Sequence, residues 1–275
     1  MAVSSPASDP LRGFDPKGTY DAAALDYEQG SRAFWEQLST RTVDRMALRP
    51  GELVLDVPCG TGPSLVRAAR DVGAEGRVLG IDYAEQMLAI TRDKVAAEGH
   101  TNVELRTGDM TDLDLAPGSF DAVICVLGLF FVDDMSALVR SFWELVAPQG
   151  RLAITVLGDE FFTPMLDVFI HAVHAERPGF DVVEPWRRTA DVDTLRSIMA
   201  EGGVPDVEIH SDVDVIPVQP DDWWRIVMGT GLRRTASALE EAEAAGVRRR
   251  CEDFMRQQAI REVTLTSHGV VATRA

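Results

Sequence analysis

Three aspartates stand at or just past the ends of apolar runs of strand length. Asp56 closes Leu53-Val54-Leu55, Asp82 closes Val78-Leu79-Gly80-Ile81, and Asp109 follows Val103-Glu104-Leu105-Arg106 through a short Thr-Gly turn. A carboxylate is an acceptor-only group, so at the carboxyl end of a parallel strand it suits hydroxyls or amines of a ligand lying across the strand ends. After Asp56, Cys59-Gly60-Thr61-Gly62 makes a tight turn into the helix-like stretch 63–70. Small residues there let a ligand approach the backbone N–H groups of a helix N-terminus. Asp82 lies 26 residues after Asp56, where an acid can accept from both ribose hydroxyls of a nucleoside; capping the next helix is the competing use. No lysine follows the glycines as in a phosphate-binding loop. His171 and His174 are three apart, which puts them on one face of a helix, where a neutral imidazole could take a proton from a hydroxyl or an activated carbon. The same spacing is half of a metal site, but no third ligand is identifiable and no metal is expected. Surface and packing roles compete with both.

The elements that must hold these residues alternate. Strands are expected near 53–56, 77–82, 103–106, 120–126 and 151–157, with helices between them, which is the pattern of an α/β protein with a parallel sheet. The run 120–126 is almost wholly apolar, as a strand buried on both faces requires. Residues 1–18 read as a flexible tail and 19–50 as an N-terminal helical cap, stopped by Arg49-Pro50-Gly51. Residues 51–157 form the ligand-binding half of the core, and 158–188 a cap insertion with a helix over 161–174. Residues 189–214 supply a core helix and the sixth strand, near 207–213. Residues 215–260 hold a second helical insertion and a core helix, with helical signal over 236–245 and 252–260; 261–275 contain the last strand.

Composition narrows the function. A chain of 275 residues can bury a substantial core, and its formal charge of −17, from 44 acidic and 27 basic residues, opposes a nucleic-acid partner bound through phosphate neutralisation. Arg248-Arg249-Arg250 is the one concentrated basic candidate. No apolar run is long enough for a membrane span, and the first ten residues lack a secretory signal. Cys59, Cys125 and Cys251 have neither disulfide-framework nor Cys-x-x-Cys spacing, which fits a reducing, cytoplasmic setting.

The stretch Leu53-Val54-Leu55-Asp56-Val57-Pro58-Cys59-Gly60-Thr61-Gly62 resembles motif I of the class I S-adenosylmethionine-dependent methyltransferases. Asp56, Cys59, Gly60, Thr61 and Gly62 match, and Pro58 stands where the family has its first glycine. Proline fixes φ and offers no N–H, so the cofactor pose depends on whether that position needs either. Asp82-Tyr83-Ala84-Glu85-Gln86-Met87-Leu88 is similar to the family stretch that lines the adenosine, which implies that role for Tyr83 and Met87. Gly108-Asp109-Met110 matches the segment that receives adenine, the acid taking the exocyclic amine. Cys125 followed by Leu127-Gly128-Leu129-Phe130-Phe131 resembles the fourth motif of the small-molecule methyltransferases related to ubiquinone and menaquinone biosynthesis enzymes. That resemblance implies that Leu127 and Gly128 flank the transferable methyl, while Phe130 and Phe131 could pack instead. It also implies a seven-stranded Rossmann-like sheet of order 3-2-1-4-5-7-6, its last strand antiparallel, flanked by helices and carrying helical cap insertions.

The implied cofactor is S-adenosylmethionine, leaving as S-adenosylhomocysteine. It brings its own electrophile, so the protein mainly aligns the acceptor and no catalytic triad is required. The cap is rich in large apolar residues: Tyr20, Tyr27, Trp35, Phe161, Phe162, Trp186, Trp223 and Trp224 could wall a pocket for a small, moderately hydrophobic acceptor, or could simply pack the cap on the core. Gly229-Thr230-Gly231 reads as a turn between cap helices. Two other functions compete. A methyltransferase-like protein can bind the cofactor without methyl transfer, as a cyclase or a binding protein. An NAD-dependent oxidoreductase shares the ribose acid, but the missing Gly-x-Gly-x-x-Gly and the Asp109-Met110 segment argue against it. Whether oxygen, nitrogen or carbon is methylated, and whether the chain is a homodimer, stay open.

Overall fold

Apolar runs of strand length and amphipathic stretches of helix length alternate along the chain, and a computed structural model, which describes residues 14–205 and 207–275, shows how they pack. The cap comes first: α1 (Pro16–Asp26), one π-helical turn (Tyr27–Ser31) and α2 (Arg32–Met46). Then β1 (Leu53–Asp56), α3 (Pro63–Val72), β2 (Arg77–Asp82), α4 (Glu85–Ala97) and β3 (Val103–Thr107) form the first half of the sheet. The chain continues through β4 (Phe120–Val126), α5 (Met135–Leu145), β5 (Val146–Thr163), α6 (Met165–Glu176), α7 (Val192–Glu201) and β6 (Glu208–Pro217). It closes with α8 (Pro220–Met228), α9 (Arg233–Ala238), α10 (Glu241–Gln257) and β7 (Glu262–Thr273).

The seven strands lie in the order β3-β2-β1-β4-β5-β7-β6, the order the resemblance implied. The strands from β1 to β5 pair in parallel, and β7 runs antiparallel to both β5 and β6. Ala122, Val123, Ile124 and Cys125 of β4 are fully buried, because helices cover both faces of the sheet. Local chemistry sets the helix starts. Pro63 opens α3, where its missing N–H costs nothing. Asp134 and Asp191 cap α5 and α7, accepting from Ala137 N and Thr194 N at 2.8 and 2.7 Å. The cap helix α2 packs on β4 and β5. Thr42 Oγ1 and Thr155 Oγ1 lie 2.7 Å apart, and Arg41 and Arg45 pair with Asp214 and Asp212 of β6 at 2.6 and 2.8 Å.

Several expected boundaries move. Residues 1–13 of the expected tail lie outside the described residues, and α1 begins at Pro16, before the tail's expected end at 18, with Asp15 accepting from Gly18 N at 3.1 Å. The fifth strand does not stop at 157. It continues to Thr163 with register shifts after Leu157, placing Phe161 opposite Leu265 and Thr163 opposite Thr264. The first residues of the expected insertion 158–188 are therefore sheet, and its helix begins at Met165 instead of 161. The sixth strand likewise runs past 213 to Pro217. In both cases β7, distant in sequence, supplies the backbone partners that lengthen the strand. The two helices expected over 236–245 and 252–260 are divided differently: residues 236–238 end α9, and α10 runs unbroken from Glu241 to Gln257, with Gly246 packed against Glu176. Arg248 and Arg250 are engaged with Glu252 and Glu176 at 2.6 and 2.8 Å. Among the described residues, no helix is long and apolar enough to cross a membrane.

Candidate active site

A cavity of about 1170 Å³, counted with its open mouth, lies at the carboxyl ends of β1, β2 and β4 under the N-terminal cap. The turn after β1 forms one wall. Gly60 has φ +54°, and the space its missing Cβ would take is open, so a ligand can come close to the backbone here. Asp82, 5% exposed, accepts from Gly60 N at 2.8 Å and from Ala84 N at 2.9 Å. Each oxygen keeps a lone pair for a ligand. Burial raises the Asp82 pKa, and the amides of Ala84 and Gly60 oppose that rise. Asp109 is exposed; one of its oxygens accepts from Thr111 N and Thr111 Oγ1 at 2.8 and 2.7 Å, and the other has no partner among the described residues. Cys59, Thr61, Tyr83, Met87, Met110 and Leu127 line the same end. Leu127 holds φ +57°, a conformation that costs a non-glycine residue about 1–3 kcal/mol and is concentrated at functional sites.

Three residues expected at the cofactor lie outside the cavity lining. Gly62 packs under Thr91, whose Cγ2 would be 2.7 Å from an added Cβ. Gly128 is fixed by the ring of Pro58: an added Cβ would come within 2.7 Å of Pro58 Cγ. The residue that departs from the family pattern and the glycine of the fourth motif thus fill one another's space. Asp56 is fully buried, with one oxygen accepting from Ser64 Oγ at 2.7 Å and the other without a partner among the described residues. Burial pushes its carboxyl up to about 7, against the pull of Ser64.

The other end of the cavity is aromatic. Tyr20, Tyr27, Phe161 and Trp186 line it as expected, together with Trp35. Trp35 stacks on Tyr27 at 5.7 Å, and Phe161 lies 4.5 Å from Trp186. Burial raises the Tyr20 and Tyr27 hydroxyls above their ordinary range, and the nearby Asp82 adds to the rise. Trp223 is instead fully buried, edge-on to Phe162 at 6.0 Å, and Trp224 is half-buried away from the cavity. His171 and His174 are exposed on α6 and outside the lining; His174 Nε2 lies 3.0 Å from Phe180 O. The expected helical face exists, but it points to solvent.

Sequence reasoning did not assign Phe14, Ser39, Leu157, Pro185, Thr230 or Gly231 to the lining, and left Phe130 and Phe131 between packing and site. Phe131 stacks on Phe14 at 5.7 Å and meets Tyr20 edge-on at 5.5 Å. For Gly229-Thr230-Gly231 the signal was the glycine pair, since an added Cβ at Gly229 would strike the backbone of Asp26 and Tyr27. For Ser39 it was a small polar residue one turn after Trp35. Among the described residues no group of His, Cys, Asp and Glu could hold a metal ion.

A family model described as a methyltransferase domain matches residues 54–150. Nocamycin O-methyltransferase of Saccharothrix syringae is 36% identical over 138 residues, 50% of this chain and 47% of that protein. The chain thus spans about half the length of that relative, as it does of several others. Demethylmenaquinone methyltransferase of Shouchella clausii is 35% identical over 183 residues, 62% of this chain and 77% of that protein. The chain belongs to the S-adenosylmethionine-dependent methyltransferase family. The fold agrees: a putative methyltransferase from Bacillus halodurans superposes with a TM-score of 0.57 at 18% identity, covering 86% of this chain and 98% of that one.

The family's cofactor fits the residues present. Two acceptor-only carboxylates, Asp82 and Asp109, suit a ribose diol and an exocyclic amine, and the open side of Gly60 admits a close approach. The charged residues that line the cavity among the described residues are Asp82 and Asp109, which suits a cationic nucleoside. Replacing Asp82 with alanine is expected to weaken S-adenosylhomocysteine binding by about 2–4 kcal/mol in calorimetry, and unchanged affinity in a folded variant would remove Asp82 from the ligand. A second prediction concerns Asp56. Its folded-state pKa lies above its unfolded value, so the stability it contributes is present at low pH and is lost as pH rises through about 7. Asp56→Asn, neutral throughout, should therefore gain Tm relative to the parent chain between about pH 5 and about pH 8; a flat difference would mean that the carboxyl is not held protonated.

Proposed function

We propose that this chain transfers the methyl group of S-adenosylmethionine to a small, moderately hydrophobic acceptor, in the cytoplasm, with catalysis mainly by positioning. The observation that carries this reading is the continuity of one cavity from Asp82 and Asp109 to the aromatic surface of Trp35, Phe161 and Trp186. When bound, the cofactor supplies a methyl group on a cationic sulfur, and an acceptor aligned with it reacts by in-line displacement. The chain's own residues bind and orient. Asp82 takes the ribose hydroxyls, Asp109 takes the adenine amine, Tyr83 and Met87 flank the adenosine, and Leu127 faces the reacting centre. The aromatic residues exclude water and hold the acceptor.

The aromatic and aliphatic lining at the acceptor end, with Trp35, Leu157, Phe161 and Trp186, supports catalysis by positioning. The names of the relatives, an O-methyltransferase and demethylmenaquinone methyltransferases, support a small-molecule acceptor. The three free, buried cysteines support a reducing compartment.

The test is incubation of the chain with methyl-labelled S-adenosylmethionine and a fractionated metabolite extract, read by mass spectrometry. Enzyme-dependent S-adenosylhomocysteine together with a labelled product is expected; cofactor binding with neither product across the fractions would favour binding without methyl transfer. With the labelled acceptor in hand, the double variant His171→Ala, His174→Ala is expected to keep turnover within about twofold, since exposed residues away from the reacting atoms contribute little to the barrier. A fall of two orders of magnitude would return these histidines to the reaction.

A further inference from the structure

The side of α2 and of its N-cap that faces the protein carries four buried hydrogen-bonding residues: the cap Ser31, then Trp35, Ser39 and Thr42. Three of them are satisfied within the protein. Ser31 Oγ donates to Tyr27 O and accepts from Trp35 Nε1, both at 2.9 Å. Thr42 Oγ1 lies 2.8 Å from Leu38 O and 2.7 Å from Thr155 Oγ1. Ser39 is 2% exposed, lines the cavity, and has no hydrogen-bond partner among the described residues. Its hydroxyl is open to the cavity, where it can exchange water for a polar atom of a ligand, a net gain of about 0.5–1.5 kcal/mol for one hydrogen bond.

Its place says which ligand. Ser39 follows Trp35 by one helical turn and precedes Thr42, which meets β5, so it stands over the ends of β4 and β5 and not over β2 and β3, where Asp82 and Asp109 lie. Trp35 stands one turn earlier on α2, Leu157 and Phe161 lie further along β5 past Thr155, and all three line the same cavity. We infer that Ser39 is the specificity-determining residue for the methyl acceptor, hydrogen-bonding an oxygen carried on a flat apolar ring that lies among these side chains. The inference rests on the methyltransferase reading of the cavity. The hydroxyl can donate to a carbonyl or a phenolate and accept from a phenol, so it selects for an oxygen substituent and tolerates its protonation state. An acceptor of the same shape without the oxygen leaves Ser39 unpaired and binds more weakly.

The experiment uses 2-naphthol and naphthalene as probes of equal shape, titrated into the full chain with and without saturating S-adenosylhomocysteine and followed by tryptophan fluorescence. The parent chain is expected to prefer 2-naphthol by about fivefold, the size of one net hydrogen bond. Ser39→Ala should erase that preference and leave naphthalene affinity unchanged. Its ligand-free Tm should stay equal or rise, since the hydroxyl it removes has no partner. A variant that keeps the preference, a parent chain that binds neither probe, or a ligand-free Tm that falls would each overturn the assignment. Failure to bind S-adenosylhomocysteine with the naphthol preference intact would strike the cofactor reading alone; cofactor binding with no naphthol preference would strike Ser39 alone.

Discussion

The Asp82 carboxylate holds the backbone amide of Gly60 on one side and that of Ala84 on the other. It therefore ties the turn after β1 to the start of α4 across two adjacent parallel strands. A carboxylate can remain buried there because both oxygens are met by N–H groups, and the same oxygens still present lone pairs to the cavity. Gly60 can join this arrangement because its positive φ is open to glycine and its missing side chain leaves the approach clear. The loop is thus shaped by the acid that would also bind the ligand, and structure and recognition share one group.

The cap depends on that loop as well. Lys94, one of two lysines in the chain, donates to Thr61 O at 3.0 Å and to Glu28 at 2.6 Å, linking the glycine turn to the π-helical turn above it. Asp21 accepts from Gln86 N at 2.9 Å, and Asp26 pairs with Arg233 at 2.8 Å. These contacts fasten both halves of the helical cap around the cavity mouth. The π turn inserts an extra residue per turn, as such bulges often do near functional sites, and it lies at Tyr27, where the aromatic wall begins.

The two ends of the cavity differ in kind, and the division of labour follows. Near β2 and β3 the wall offers fixed acceptors on strand ends. Near β4, β5 and the cap it offers aromatic faces and a serine hydroxyl. A rigid sheet holds the first set, while the second comes from segments far apart in the chain, from Phe14 to Gly231.

Asp56, Asp82, Asp109 and the glycine turn were legible in the chain because each sits at a strand end, and a strand end is a local property of an apolar run followed by a small or acidic residue. The sheet order was legible by resemblance, for the same reason. Even there, tertiary packing reassigned Asp56 to the interior and Gly62 and Gly128 to close contacts. The aromatic end of the cavity was legible only as an inventory: Tyr20, Tyr27, Phe161 and Trp186 line it but Trp223 and Trp224 do not, because it forms where α2, the end of β5 and the turn after α8 converge, and no local pattern records that convergence. His171 and His174 show the limit most plainly. Their spacing determined that they share a helix face, but the side chosen for burial was that of Phe169 and Val173 packed on the core, and the histidines were left in solvent.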